Sequence, residues 1–348
     1  MSLYVLCYEH SAYVQQAVRA ALAQTYSPLE IVISDDASID DTFEKIHATV
    51  ADYRGPHVVK IRRNTQNLGI GEHINQVWRE CRGEWIFASA GDDMSHPDRV
   101  AIVMRASAAH PEIKLFQSYL REVDARGSVI GINVLGDNPS EAQRIGLRTW
   151  GFAQRIRNET PHPHGASFAY SRKVVDLFGP LRPEVIFEDN VLNWRAELLG
   201  GMALIREAVV DHRIHEGQIT NSAGNVDLER NEIRRRARLH SNVATSIQNM
   251  EDAICAFDHG LLTTDELKLL RAWTSDRNQY FSSLRDALVL SWPARIFSLV
   301  QAMQIRGVLA PLRRDDFARA MMPDWLYFQL KRGRRRRSAD TDGGERNI

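Results

Sequence analysis

Within its first hundred residues the chain lays down four short apolar runs, Leu3 to Cys7, Ile31 to Ser34, Val58 to Ile61 and Trp85 to Ala88, and each gives way at once to a polar cluster. Runs this short are strands rather than ordinary helices. Their near-continuous apolar character is what strands buried on both faces require, as in a parallel sheet. Between them Tyr13, Val14, Ala17, Val18, Ala21 and Leu22 share one helical face, and Ile70, Ile74, Val77, Trp78 and Cys81 share another. The alternation predicts an α/β fold in which helices cover a sheet.

Ligands of open α/β sheets bind beyond the carboxyl ends of the strands, so the polar clusters belong together on one rim. They read YEHS (Tyr8 to Ser11), DDASIDDT (Asp35 to Thr42), RRNTQNLGIG (Arg62 to Gly71) and GDD (Gly91 to Asp93). Adjacent carboxylates repel, so Asp92 and Asp93 at the end of a buried strand call for compensation, by a cation or by a solvated turn. Ser95 with Asp98 has the spacing of a capping box, which predicts a helix carrying Val100 and Val103 that begins just past the pair, with Asp93 on a surface rim.

Further on, residues 116–133 predict a strand pair around the turn DARG, and 165–170 another strand. FEDNVLNWRAELLGG (Phe187 to Gly201) predicts a helix with an acidic start and a glycine stop, and MALIREAVVDHRIHEGQIT a short hairpin and loop. Beyond about Val226 the periodicity of Leu267, Leu270, Trp273, Tyr280, Leu284 and Leu288 predicts helices. The organisation expected is therefore 1–225, a helical region 226–330, and a basic tail 331–348 that a run of like charges should leave disordered.

Lys plus Arg and Asp plus Glu balance at 44 each over 348 residues, so no global charge points to nucleic acid, and no nucleic-acid fold motif accompanies the local run KRGRRRR at 331–337. Cys7, Cys81 and Cys255 are widely spaced and odd in number, as reduced core thiols would be. No apolar run reaches the roughly 18 residues of a membrane span, and the first residues lack a signal-peptide layout, so a cytoplasmic location is expected. The segment 292–312, with Ile296, Phe297, Val300 and Met303 on one face, is compatible with covering a core. Together with the basic tail it is also compatible with peripheral contact with anionic membrane.

Taken together, ALAQTYSPLEIVISDDASIDDT, NLGIGEHIN, GEWIFASAGDDMSHPDR, GASFAYSR, FEDNVLNWRAELLGG and RIHEGQIT resemble, in order and spacing, the family 2 glycosyltransferases over about residues 1–222. The resemblance implies a GT-A fold, a Rossmann-like mixed sheet flanked by helices, here with a helical C-terminal extension. It implies an inverting enzyme that takes a sugar from a nucleotide-diphosphate donor to the hydroxyl of a glycan, lipid-linked or small-molecule acceptor, in the manner of surface polysaccharide or glycoconjugate synthesis. Tyr8 corresponds to the aromatic near the nucleobase, Asp35 or Asp36 to the acid that contacts base or ribose, and Asn67 and Gly69 to a helix start near the donor. Asn75 falls in the same helix start. Glu9 stands where the family usually has asparagine, and Ala90 where many relatives carry a further aspartate.

Asp92 and Asp93 correspond to the DXD-type region that holds a divalent cation, Mn²⁺ or Mg²⁺, against the donor diphosphate, where oxygen ligands suit hard ions. His215 matches a late histidine that approaches metal or diphosphate in some relatives, although a loop histidine is as readily a hydrogen-bonding group. Asp189 corresponds to the general base, against the plain alternative of a cap for a helix beginning near Val191. His162 and His164 read as a rigid loop lining the acceptor site, with no ligand role, and Arg195 as an ion-pair partner at the sheet rim. Two other classes remain: a donor-binding protein without turnover, recruited to a surface by its tail, and a nucleotidyltransferase. The latter would carry a Gly-rich basic loop after the first strand, where this chain has YEHS.

Overall fold

The computed structural model describes residues 1–135, 147–157, 159–215, 217–218 and 228–287. Its strands are β1 (Ser2–Cys7), β2 (Glu30–Asp35), β3 (Val58–Arg63), β4 (Trp85–Ala90), β5 (Met94–Ser95), β6 (Leu115–Val123), β7 (Val129–Asn133), β8 (Leu147–Trp150), β9 (Ala169–Ser171) and β10 (Met202–Arg213). Its helices are α1 (Val14–Leu22), α2 (Thr42–Val50), α3 (Ile70–Glu80), α4 (Arg99–Ala109), α5 (Phe152–Ile156), α6 (Lys173–Asp176), α7 (Glu188–Leu199), α8 (Leu228–Asp258) and α9 (Thr264–Ala287). Among the described residues the strands form one mixed sheet in the order β3-β2-β1-β4-β9-β6-β10-β5, with β7 beside β6 and β8 beside β10.

The four predicted N-terminal strands are present and parallel, β1 lying between β2 and β4 with β3 outside β2. β1 shows why they read as continuous apolar runs. Leu3, Val5 and Cys7 pack into a core with Val14, Ala17, Val18 and Ala21 of α1 and Val100 and Val103 of α4. The alternate residue Tyr4 points to the opposite face, where its hydroxyl accepts from Tyr170, whose own oxygen accepts from Trp78 Nε1 of α3 at 2.7 Å. β3 departs from the expectation of two buried faces: it is an edge strand, and its side chains are exposed or half-buried.

The segment 181–185 lies against the start of α3. Asn75 donates to Leu181 O at 2.9 Å and accepts from Leu181 N at 2.8 Å, so both ends of its amide are occupied by main chain. Gly71 permits the approach: a Cβ there would stand 2.7 Å from Val185 O and 3.0 Å from Arg182 O. Gly71→Ala is therefore expected to destabilise the fold by about 1 to 3 kcal/mol through overpacking, although Ala favours helix by roughly 1 kcal/mol. A urea midpoint equal to or above that of the wild type would refute the close packing.

Three local expectations are corrected. Residues 202–213 form one long strand, not a hairpin: β10 runs parallel to β6, and register shifts around Ala208 absorb the charged pair Arg206–Glu207 that interrupts the apolar pattern. Ser95 is not a helix cap, because it pairs with Val210 in β5–β10 and its hydroxyl accepts from Arg99 Nη1 at 2.9 Å; α4 starts at Arg99. Asp93 is not on a surface rim, being only 3% exposed.

The predicted β6–β7 pair, the helix at FEDN with its stop at Gly200, and helices beyond Val226 are present. The chain divides into two compact units, residues 1–221 with 248–270, and 222–247 with 271–348. Within the first, Arg195 does not reach the sheet rim; it is fully buried and pairs with Asp252 of α8 at 2.8 Å while donating to Gly179 O. Described residues of the second unit bury Leu239, Val243, Tyr280 and Leu284. The amphipathic segment 292–312 and the basic tail lie outside the described residues. No helix among the described residues is long and apolar enough to cross a membrane.

Candidate active site

The carboxyl ends of β1, β2 and β3 bring the first three polar clusters together. Tyr8 follows β1 and is 41% exposed, and its hydroxyl is hydrogen-bonded to the Asn67 side chain. Asp35 and Asp36 are buried and hold loops in place. Asp35 accepts from Ser38 N and Ser38 Oγ and pairs with Arg63 at 3.2 Å. Asp36 accepts from Asn64 Nδ2 and from the backbone N–H groups of Leu68 and Gly69. Gly69, at φ +74, turns the chain into α3, and its N–H also donates to Asn67 Oδ1.

Beyond β4 the two adjacent carboxylates part. Asp92 faces the rim, with its Oδ2 3.0 Å from His215 Nε2 and 3.8 Å from His10 Nε2. Burial raises its pKa, but the His215 hydrogen bond and the His10 and His215 charges outweigh burial and hold the carboxyl below its ordinary value. Asp93 turns inward and accepts from Arg213 N at 2.9 Å; burial and then the charge of Asp92 push it well above the ordinary range. The like charges therefore have unequal environments: one carboxylate is kept ionised by histidines, the other is held in the interior beside Arg213.

Arg213 organises this corner. Its guanidinium donates to Asp92 O, Asp124 O, Ala125 O and Gln16 Oε1, and it lies over the Tyr13 ring at 4.8 Å. Tyr13, just before α1, also contacts the His215 ring with centroids 4.8 Å apart. The end of β10 is thus bound to the start of α1 and to the β6–β7 turn, which fixes His215 opposite Asp92. Among the described residues no three His, Cys, Asp or Glu side chains already close on one ion-sized point.

Asp189 stands in the first turn of α7, which begins at Glu188 rather than near Val191, and no side chain caps that helix. Its Oδ1 accepts from Asn190 N at 2.8 Å, and Gly165 N–H also donates to the carboxylate. Burial dominates and carries its pKa up to about 6, with the Asn190 and Gly165 hydrogen bonds and Arg155 opposing. Burial, then the charge of Asp189, pushes Glu188 up to about 8. Gly165 lies close to both carboxyls: a Cβ there would stand 2.6 Å from Glu188 Oε1 and 3.5 Å from Asp189 Cβ. Next to it, the His164 ring meets the His212 ring edge-on at 4.5 Å, and burial pushes His164 down to about 3, so the loop at Gly165 and the end of β10 are tied by an uncharged contact. A carboxyl poised near neutrality can take a proton, and a carboxylate beside an imidazole can hold a cation.

Sequence reading missed His10, Gly165, Arg213 and His212 as members of this site. Arg213 and His212 had one usable signal, their place just before His215 at the end of an apolar run; His10 had only its place in the rim cluster YEHS.

A mixed sheet of this order, with its polar groups gathered at one rim, has the GT-A fold. Comparison with known proteins gives the family: the profile described as glycosyl transferase family 2 matches residues 2–178, and the chain belongs to that family. Chondroitin synthase from Escherichia coli is 32% identical over 130 residues, 37% of this chain, which spans only 18% of that enzyme's length. An uncharacterized glycosyltransferase from Nostoc sp. is 23% identical over 84% of this chain and 89% of its own. Among solved structures, TarS 1-349 of S. aureus superposes with a TM-score of 0.56 at 15% identity, covering 92% of this chain and 80% of that one. The same protein in complex with UDP-GlcNAc gives 0.52 at 16% identity, covering 88% of each chain.

Proposed function

We propose that the protein transfers a sugar from a nucleoside-diphosphate donor to an acceptor hydroxyl with inversion at the anomeric carbon, with Asp189 as general base and a divalent cation, Mn²⁺ or Mg²⁺, at Asp92 and His215. The observation that carries the reading is the pairing on one fold of a carboxylate–histidine couple beyond β4 with a buried carboxyl raised to about 6 at the start of α7. Family membership supports the reaction class, and the UDP-GlcNAc complex of the S. aureus neighbour supports a nucleotide-sugar donor.

The residues fit the ion: a carboxylate oxygen held ionised and an imidazole nitrogen 3.0 Å from it suit a cation whose remaining positions go to phosphates and water. Such an ion supplies charge stabilisation to the departing diphosphate. The chain's own residues do the rest. Tyr8 offers a face to the base. Asp36 holds the Asn64 to Gly69 loop shut behind it. Asp189 removes the acceptor proton as the hydroxyl oxygen attacks the anomeric carbon opposite the diphosphate, which leaves with the electron pair of the broken bond.

Polysaccharide or glycoconjugate synthesis as the setting is part of this proposal, supported by the chondroitin synthase relative. So is a cytoplasmic location, supported by three unpaired cysteines. Acceptor choice and contact with anionic membrane are assigned to the region beyond residue 226.

Thermal shift against a panel of UDP-, GDP- and dTDP-sugars, with and without Mn²⁺, is the test. A donor at a hundredfold excess over its Kd should stabilise by about 2.7 kcal/mol, raising Tm by roughly 4 °C, and only with the cation present. Anomeric configuration of the product by NMR then checks inversion. Absence of any shift across the panel would sink the donor assignment.

A further inference from the structure

We infer that His10 is a third protein ligand of the cation that Asp92 and His215 would hold, an assignment that rests on the metal-dependent reading above. Geometry is the argument. His10 Nε2 lies 3.8 Å and His215 Nε2 3.0 Å from the same Asp92 Oδ2. Ligands about 2.1 Å from one first-row divalent ion stand roughly 3 to 4 Å from each other, and both spacings fall in that interval. At 3.8 Å the His10–Asp92 contact is too long for a hydrogen bond. The set is not closed on a point as it stands, so ligation requires movement of the His10 ring, whose side chain is 21% exposed.

Two backbone features aim that ring. Glu9 adopts φ +55, a left-handed conformation that costs a non-glycine residue free energy, and its N–H is held by Ser38 Oγ at 2.9 Å. This turn directs His10 inward while Tyr8 stays at the surface. Gly91 makes the seat, since a Cβ there would stand 2.6 Å from His10 Nδ1 and 2.9 Å from Cys7 Sγ. The Nδ1 atom is buried without a hydrogen-bond partner, so the edge of the ring available to chemistry is the Nε2 that faces Asp92. A set of two imidazoles and one carboxylate also has a preference: it favours Mn²⁺ over Mg²⁺, which takes oxygen ligands.

Pulsed electron paramagnetic resonance of the full chain loaded with Mn²⁺ and UDP counts imidazole nitrogens directly through their nuclear modulation. Two coupled ¹⁴N ligands are expected in the wild type and one in each of His10→Gln and His215→Gln. His10→Gln should also weaken Mn²⁺ binding by tenfold or more at unchanged Tm. A single nitrogen in the wild type that persists in His10→Gln and vanishes in His215→Gln would overturn the assignment while leaving the metal site intact. Loss of UDP affinity without loss of Mn²⁺ affinity in His10→Gln would overturn it too, by making His10 a phosphate contact. If the wild type binds no Mn²⁺ with UDP or GDP, the metal-dependent reading falls along with it. The wild-type count decides even if a variant fails to fold.

Discussion

Asp189→Asn is expected to lower kcat by about 10² to 10⁴, the usual contribution of a positioned general base, while leaving donor affinity and folding intact. Asn retains a carbonyl oxygen that can accept from Asn190 N–H and Gly165 N–H, the contacts that hold the native carboxylate, but it cannot take a proton. The alternative of a helix cap is weakened by geometry, since Asp189 lies inside the first turn of α7. The pH dependence follows in sign. A base must be ionised to act, so kcat/KM should rise as pH passes through about 6 and level off above it; Glu188, pushed up to about 8, remains protonated over that window. Because the two carboxyls interact, the measured value belongs to the pair. For stability the sign is opposite: a carboxyl whose folded pKa exceeds its unfolded value favours the fold at low pH and loses that contribution as pH rises through about 6. Asn carries no such penalty, so the variant should be no less stable than the wild type at pH 8. Turnover within threefold of wild type at saturating substrates would move the base to another residue.

The parts of the fold that could be read from sequence are those in which one physical demand dominates. β1, β2 and β4 carry apolar side chains on both faces because helices lie on both faces, and that leaves a continuous run. The ends of the runs marked the rim where the structure gathers Tyr8 and Asp92, while Asp189 was singled out by resemblance and lies at the start of α7. β10 was misread because a register shift lets a single strand carry Arg206 and Glu207 through its middle, and periodicity cannot tell that interruption from a turn. The inward turn of Asp93 was hidden because its partner Arg213 is 120 residues away. His10 was legible only as a member of the rim cluster YEHS; its partner becomes visible when β1 and β4 pair and set it beside Gly91 and Asp92. Asn75, which falls in the helix start that the resemblance sets near the donor, is held by the main chain of Leu181.

Asp92 and Asp93 are adjacent in sequence, yet their alanine variants are expected to fail in different ways. The Asp92 carboxylate meets His215 and His10 at the rim and otherwise accepts from its own backbone N–H, so Asp92→Ala should keep stability within about 1 kcal/mol of wild type. Its Mn²⁺-dependent affinity for UDP should drop by about a hundredfold or more, since even an outer partner of a metal ligand is worth 10 to 100. Asp93 is 3% exposed and accepts the Arg213 N–H at 2.9 Å in the interior. Asp93→Ala strands that donor, at about 1 to 3 kcal/mol, and loosens the residue that holds Asp92 O, Gln16 and the β6–β7 turn. A lower urea midpoint is therefore expected for Asp93→Ala, together with a smaller loss of Mn²⁺ affinity when both variants are titrated calorimetrically in the folded state. A stable Asp93→Ala that no longer binds Mn²⁺, beside an Asp92→Ala that does, would exchange the two roles and place the cation on the inner carboxylate.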